Sequence, residues 1–271
     1  MPQPHHLYRT EAVILKQMPL GEADRILTMF TPVFGKVRAV AKGVRKPTSR
    51  MGGSVEPLTR ANMLLSKGND LDIVSQSEPI DAYLAVRGDL EKTSTAFYMA
   101  ELIDAFTTEQ SENRSLYRHF VGSLEMLCDL KNDGQGNVRE LMLLRTSYEA
   151  GLLAMTGYRP QINRCIECSQ PPQGSVSFSA SGGGVICQKC RNKQTVTRTL
   201  SMPALKMLGV LENNEFVQLK KQPYAEDISL EVEALLRQYI WYLLERNLKS
   251  TSFMDAVRRG VSMDRFETAS N

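Results

Sequence analysis

The chain has 271 residues, of which 42% are apolar and 23% charged. It can bury enough apolar surface to offset the entropy of ordering, which excludes a disordered, collagen-like or low-complexity chain. Its 33 basic and 30 acidic side chains give a net charge of +3, too small by itself to name a partner.

That charge is not evenly spread. Residues 1–80 hold 11 basic and 7 acidic groups, a net of +4, which leaves 22 against 23 for the other 191. Within 31–60 there are seven basic groups and one acid, Glu56. A local excess of one sign is the usual footprint of a polyanionic partner. At roughly 100–200 residues per domain, the length predicts about two domains. The start, Met1-Pro2-Gln3-Pro4-His5-His6, lacks the charged n-region and apolar run of a secretory signal. No apolar stretch approaches the roughly 18 residues of a membrane span.

In chain order, the first 80 residues read as strands separated by turns. Residues 11–16 are rich in β-formers, 20–24 turn, 25–31 resume an extended pattern, and 32–35 turn again at Pro32 and Gly35. Residues 36–42 alternate charged or small with apolar side chains, the mark of a strand with one wet face. A loop over 43–54 precedes two more strand candidates, 58–66 and 71–76. Five short strands with turns between them predict a small barrel of OB type. After Pro79 the period becomes helical. Stripes run through 97–106, through Leu116, Phe120, Leu124 and Leu127, and through Leu141, Leu144, Tyr148, Leu152 and Met155. Polar connectors are expected at 109–113 and 132–137. Gly157 and Pro160 close the third helix. Ser201 caps the next, with Pro203 in its first turn. A last stripe runs from Ile228 through Val232, Leu235 and Tyr239 to Leu243, and a loose tail is expected from about Asp264. The fold class is α+β: an N-terminal five-stranded OB-type β-barrel, then an all-α domain with a four-cysteine insertion. The expected divisions are 1–80, 81–160, 161–197 for the insertion, and 198–271.

The insertion carries the sharpest motif. Cys165 and Cys168 are followed after eighteen residues by Cys187 and Cys190, a C-x2-C-x18-C-x2-C spacing suited to a tetrathiolate zinc site. Alternation over 175–179, a Ser-Gly-Gly-Gly turn over 181–184 and Val185-Ile186 predict a hairpin that brings the pairs together. Four thiolates close a tetrahedron at about 2.3 Å and leave no open position, so the Zn2+, one per chain, is expected to be structural. An odd count of five cysteines, four of them in two tight pairs, favours a reducing cytosol over disulfides. Arg164, Lys189, Arg191 and Lys193 read first as charge compensation and second as a nucleic-acid contact. Cys128 reads as a buried small hydrophobe.

No catalytic constellation is legible. The chain has no G-x-x-x-x-G-K-[ST] loop, no G-x-G-x-x-G and no H-E-x-x-H, and its three histidines are His5, His6 and His119. The deaminase pattern also fails, since Arg164 precedes Cys165. Asp70/Asp72 and Glu226/Asp227 are better explained by a turn and a helix start than by a metal pair. The expectation is therefore no enzyme. The nucleic-acid-binding candidates are Lys36, Arg38, Lys42, Arg45, Lys46 and Arg50. Even spacing puts the first three on one strand face, and the others follow on a loop. OB barrels bind single strands on such a surface, adding aromatic stacking to charge; Phe30, Phe34 and Tyr8 lie near in sequence. The charge reversal of Lys36, Arg38 and Lys42 is expected to abolish binding without unfolding. A solvated face is the plainer alternative, and the local sign bias favours binding over it.

The strings Thr10-Glu11-Ala12-Val13-Ile14-Leu15, Gly21 to Thr28 and Gly35 to Arg45 resemble the N-terminus of the bacterial recombination mediator RecO family. The likeness continues through Glu56-Pro57-Leu58, the helical block, Gly157-Tyr158-Arg159-Pro160 and the four cysteines, and covers nearly the whole chain. It implies an OB domain, a helical domain and a zinc-binding insertion. It also implies a cytoplasmic, nucleoid-associated DNA repair protein that binds single- and double-stranded DNA, anneals complementary strands and acts with RecR. Together they help RecA replace single-strand-binding protein, whose tail docks in the helical part. Family DNA contacts lie on the basic OB face, which here carries the residues chosen from charge. Two other readings stand beside it: a zinc-containing protein–protein adaptor with an incidental basic face, and a zinc-dependent nucleic-acid enzyme, which closed four-cysteine ligation disfavours.

Overall fold

The computed structural model describes residues 7–131, 135–194, 197–212 and 224–244, together with Met254. Five strands, β1 (Leu7–Leu20), β2 (Asp24–Thr31), β3 (Gly35–Ala41), β4 (Arg60–Ser66) and β5 (Asp72–Asp81), close a barrel in the order β1-β2-β3-β5-β4. The length of β1 makes closure possible. Its first half, Leu7 to Val13, pairs with β4, and from Val13 onward it pairs with β2. A register shift between Ile14 and Lys16 bends it from one partner to the other. β3 follows the expected alternation: Gly35, Val37, Ala39 and Ala41 are buried, and Lys36, Arg38 and Val40 half-buried. Ile14, Leu27, Met29, Val37, Val55, Met63, Leu65 and Val74 fill the barrel.

Three strands differ from the periodicity by more than one residue, and the first is β1, which runs past both ends of 11–16. Leu58 sits at φ +64, outside the extended region, so β4 starts at Arg60. β5 runs on through Pro79 because it meets β3 only at Asp72 and Ile73; beyond these the side of β5 away from β4 has no ladder, and a missing N–H costs nothing there.

Among the described residues the helices are α1 (Leu84–Arg87), α2 (Leu90–Phe106), α3 (Arg114–Asp129), α4 (Gln135–Met155), α5 (Met202–Glu212) and α6 (Glu226–Leu244). Asp89 caps α2, accepting from the Glu91 and Lys92 N–H groups. The α3 stripe of Leu116, Phe120, Leu124 and Leu127 is fully buried, but Cys128 is only half-buried, because it sits one step off that stripe. α4 ends as expected: Gly157 adopts φ +87, and the Tyr158 N–H reaches back to the Leu153 carbonyl at 2.8 Å, a Schellman closure. Ser201 caps α5, accepting from the Ala204 N–H at 3.2 Å. α4 begins inside the connector expected at 132–137, part of which, like the tail from Asp264, lies outside the described residues.

The chain divides into two compact units, Met1–Cys128 with Lys249–Asn271, and Asp129–Leu248. The first holds the barrel and α1–α3, with α2 packed on β1. In the second, α4, α5 and α6 pack on one another. A buried ion pair between Arg145 and Glu233 joins α4 to α6. A three-stranded sheet of β6 (Val176–Ser179), β7 (Gly184–Cys187) and β8 (Arg198–Leu200), in the order β7-β6-β8, completes this unit. Phe178 of β6 meets Tyr239 of α6 edge to face at 5.3 Å, which ties the cysteine hairpin to the helices. No helix among the described residues is long and apolar enough to cross a membrane.

Candidate metal centre and nucleic-acid interface

The hairpin of β6 and β7 brings Cys187 and Cys190 beside Cys165 and Cys168. All four sulfurs lie within 4.8 Å of one another. Four ligands at about 2.3 Å from one ion in tetrahedral array stand about 3.8 Å apart, and the Cys168 and Cys187 sulfurs are 3.8 Å apart. Cys165 and Cys190 are buried while Cys168 is exposed. The Cys187 N–H donates to the Cys165 sulfur at 3.3 Å. Burial pushes the Cys165 thiol up, but the N–H groups of Cys187, Cys168 and Glu167 outweigh it and bring it down to about 6. Burial, reinforced by the neighbouring sulfurs, pushes Cys190 up to about 12. Four sulfurs at this spacing can hold a metal ion. Arg164, Lys189, Arg191 and Lys193 around it are all exposed.

The six basic candidates fall into two groups. Lys36 is only 14% exposed, and its ammonium reaches the Asp104 carboxylate of α2 at 3.2 Å and the Asp104 carbonyl at 2.6 Å. Arg38 faces Glu109 at 4.0 Å. β3 ends at Ala41, so Lys42 does not share their strand face but opens the loop that follows. There Lys42, Arg45, Lys46 and Arg50 are all exposed. This loop is held rather than loose. Val44 is buried in the barrel core, the Asp24 carboxylate accepts from the Gly43 N–H at 2.7 Å, and the Arg45 N–H donates to the Ala23 carbonyl at 3.0 Å. The basic groups thus stand on the turn between β1 and β2 at one end of the barrel. Phe30 is fully buried. Phe34, in contrast, is exposed and stacks obliquely on Tyr8 at 4.6 Å.

Sequence reasoning missed the acids that engage the basic strand. Asp104 takes Lys16 at 2.6 Å as well as Lys36. Burial raises its carboxyl, but these two ammonium groups together hold it below the usual carboxylate range. Glu11 behaves alike, with burial overcome by Arg60 and by the Tyr117 hydroxyl. A depressed carboxyl contributes stability that is complete above its unfolded pKa of about 4 and is lost as pH falls through the lower folded value. Thermal melts should therefore show the first unit weakening between about pH 5 and pH 2. Asp104→Asn should start lower at neutral pH and lose less on acidification; parallel pH profiles for variant and wild type would refute this role.

With this geometry in view, two family models match the chain. Residues 5–83 match the one described as recombination protein O N terminal, and residues 87–252 the one described as recombination protein O C terminal. The chain is similar to the DNA repair protein RecO of Roseiflexus sp., at 35% identity over 254 residues, 93% of this chain and 87% of that protein. It is 34% identical to the DNA repair protein RecO of Desulforamulus reducens over 250 residues, 92% of this chain and 94% of that one. It is also 34% identical to that of Bifidobacterium adolescentis over 253 residues, 92% and 99% respectively.

Proposed function

The chain belongs to the recombination protein O family, and from that premise we propose that it is a DNA-binding recombination mediator rather than an enzyme. It binds single- and double-stranded DNA, anneals complementary strands and, with RecR, helps RecA displace single-strand-binding protein during repair in the cytoplasm. The observation that carries this reading is the exposed basic loop of Lys42, Arg45, Lys46 and Arg50 on a closed OB-type barrel. Arg38 and Lys36 extend it along β3, their charge shared with Glu109 and Asp104. Annealing needs no bond chemistry. A cationic surface lowers the repulsion between two phosphate backbones and leaves the bases free to pair. We assign residues 1–80 to DNA binding, 81–160 and 198–271 to the helical domain, and 161–197 to a zinc insertion. In that insertion Cys165, Cys168, Cys187 and Cys190 would hold one Zn2+, which supplies folding energy and no reaction step.

The test is annealing of complementary strands pre-coated with single-strand-binding protein, over a salt series. Acceleration that fades steeply as salt rises is the expected result, because binding releases condensed counterions. No acceleration, with no salt-sensitive binding to bare single strands, would instead favour the adaptor reading, in which the zinc hairpin docks a protein partner.

A further inference from the structure

A pocket of about 270 Å³ opens where β3 begins. One wall is aromatic. Phe34 stands 37% exposed on the turn between β2 and β3, its ring centroid 4.6 Å from that of Tyr8 and tilted by 57°. This pair is fixed in place. The Tyr8 hydroxyl donates to the Asp72 carboxylate. Asp72 is 5% exposed and also accepts from the Gly68 N–H at 3.1 Å, with the Lys67 ammonium at 3.7 Å. The turn that presents Phe34 is locked from the other side. Gly35 adopts φ +60, and a Cβ there would come within 2.1 Å of the Ser111 carbonyl oxygen. The opposite wall carries Gln110 in the left-handed region at φ +59, its N–H donating to the Lys36 carbonyl at 3.1 Å. A strained non-glycine residue persists where its surroundings over-determine it, often at a ligand site.

The charges of the lining choose the occupant. Lys36, Arg38 and Lys67 are balanced by Asp70, Asp72 and Glu109, so the pocket has no net attraction for phosphate. What suits it is flat, neutral and apolar-faced, with donors and acceptors at its edge. We propose that this pocket seats one unstacked base of single-stranded DNA, stacked on Phe34, while the flanking phosphates run along β3 toward the loop of Lys42 and Arg45. At about 3.3 Å per strand residue, Arg38 and Lys42 lie about 13 Å apart, a distance a single strand spans within a few nucleotides. The inference rests on the DNA-binding reading above and adds to it a site for the base, separate from the sites for phosphate.

The test compares Phe34→Ala, Phe34→Leu and Phe34→Trp with wild type in anisotropy titrations of three probes: a thymidine oligomer, an abasic oligomer of the same length, and a duplex. Loss of the ring should weaken binding to the thymidine oligomer about tenfold. Duplex and abasic affinities should change less than about twofold, and the salt slope should stay unchanged because every phosphate keeps its cation. Phe34→Leu keeps apolar volume without a π-face and should behave like Phe34→Ala, whereas Phe34→Trp should restore affinity. Equal affinities for the thymidine oligomer in Phe34→Ala and wild type, or equal losses on all three probes, would overturn the pocket alone. A wild type without salt-sensitive binding to any probe would instead overturn the DNA-binding reading itself.

Discussion

Exchanging Lys42, Arg45, Lys46 and Arg50 together for Glu should lower affinity for single-stranded DNA by roughly two orders of magnitude near 0.1 M salt. The slope of log affinity against log salt should flatten by about 3, at about 0.7 for each phosphate no longer neutralised. The fold should survive the change. All four side chains are exposed, and the loop is held by groups that are not exchanged: Val44 in the core, and the Asp24 carboxylate on the Gly43 N–H. Arg45 forfeits one guanidinium bond to the Gly21 carbonyl at 3.2 Å, an exposed interaction of small worth. The informative control reverses four other exposed basic residues, Arg118, Lys131, Arg159 and Lys206, for the same change in net charge. If binding is a matter of overall charge, both variants weaken alike and the loop assignment fails. If the loop tracks the phosphates, only the first variant loses affinity, and native circular dichroism accompanies the loss.

Lys36 is left out of that variant for a reason the sequence could not supply. Alternation over 36–42 showed which residues of β3 face outward, and the structure agrees position by position up to Ala41. Alternation says nothing of what lies across from that face. Asp104 is 68 residues away on α2, and its carboxylate engages Lys36. A reversal at Lys36 would set two carboxylates side by side and would report on folding as much as on binding. Joint reversal of Lys36, Arg38 and Lys42 is therefore expected to cost the fold at its first member, where Asp104 holds the ammonium. Asp72 shows the same limit. Beside Asp70 it reads as a turn residue, whereas in the barrel it is a buried acceptor for Tyr8 and the Gly68 N–H. The cysteine pairs were legible because their chemistry is local to each C-x2-C and the Gly-rich turn between them sets the return path. Long-range charge pairing has no such local sign.

Replacing Cys165 or Cys190 with Ser should cost the chain its metal and unfold the hairpin while leaving the barrel intact. β6 and β7 are four residues each and β8, which pairs with β6, is three, a small sheet of marginal stability by itself. Among the described residues, the apolar cluster at the sulfurs consists of buried Ile186, Cys165 and Cys190, with Ile166 and Cys187 packed against it, while Val176, Phe178 and Val185 of the hairpin are buried as well. So small a cluster does not by itself offset the ordering of the two cysteine turns, and metal binding supplies the difference, as in other thiolate sites where binding and folding are one event. Native mass spectrometry should find one zinc in wild type and none in either variant. Hydrogen exchange and limited proteolysis should then open the segment around 165–190, and separation of Phe178 from Tyr239 should lower the melting of the helical unit. Exchange protection across β1–β5 should stay at the wild-type level, since the barrel has its own core. Removal of metal from wild type with a strong chelator should reproduce the variants. A metal-free wild type whose hairpin still resists protease would falsify the metal site. Visible absorption from a bound ferric ion would keep the site but replace zinc, because four thiolates in a tetrahedron accept either metal.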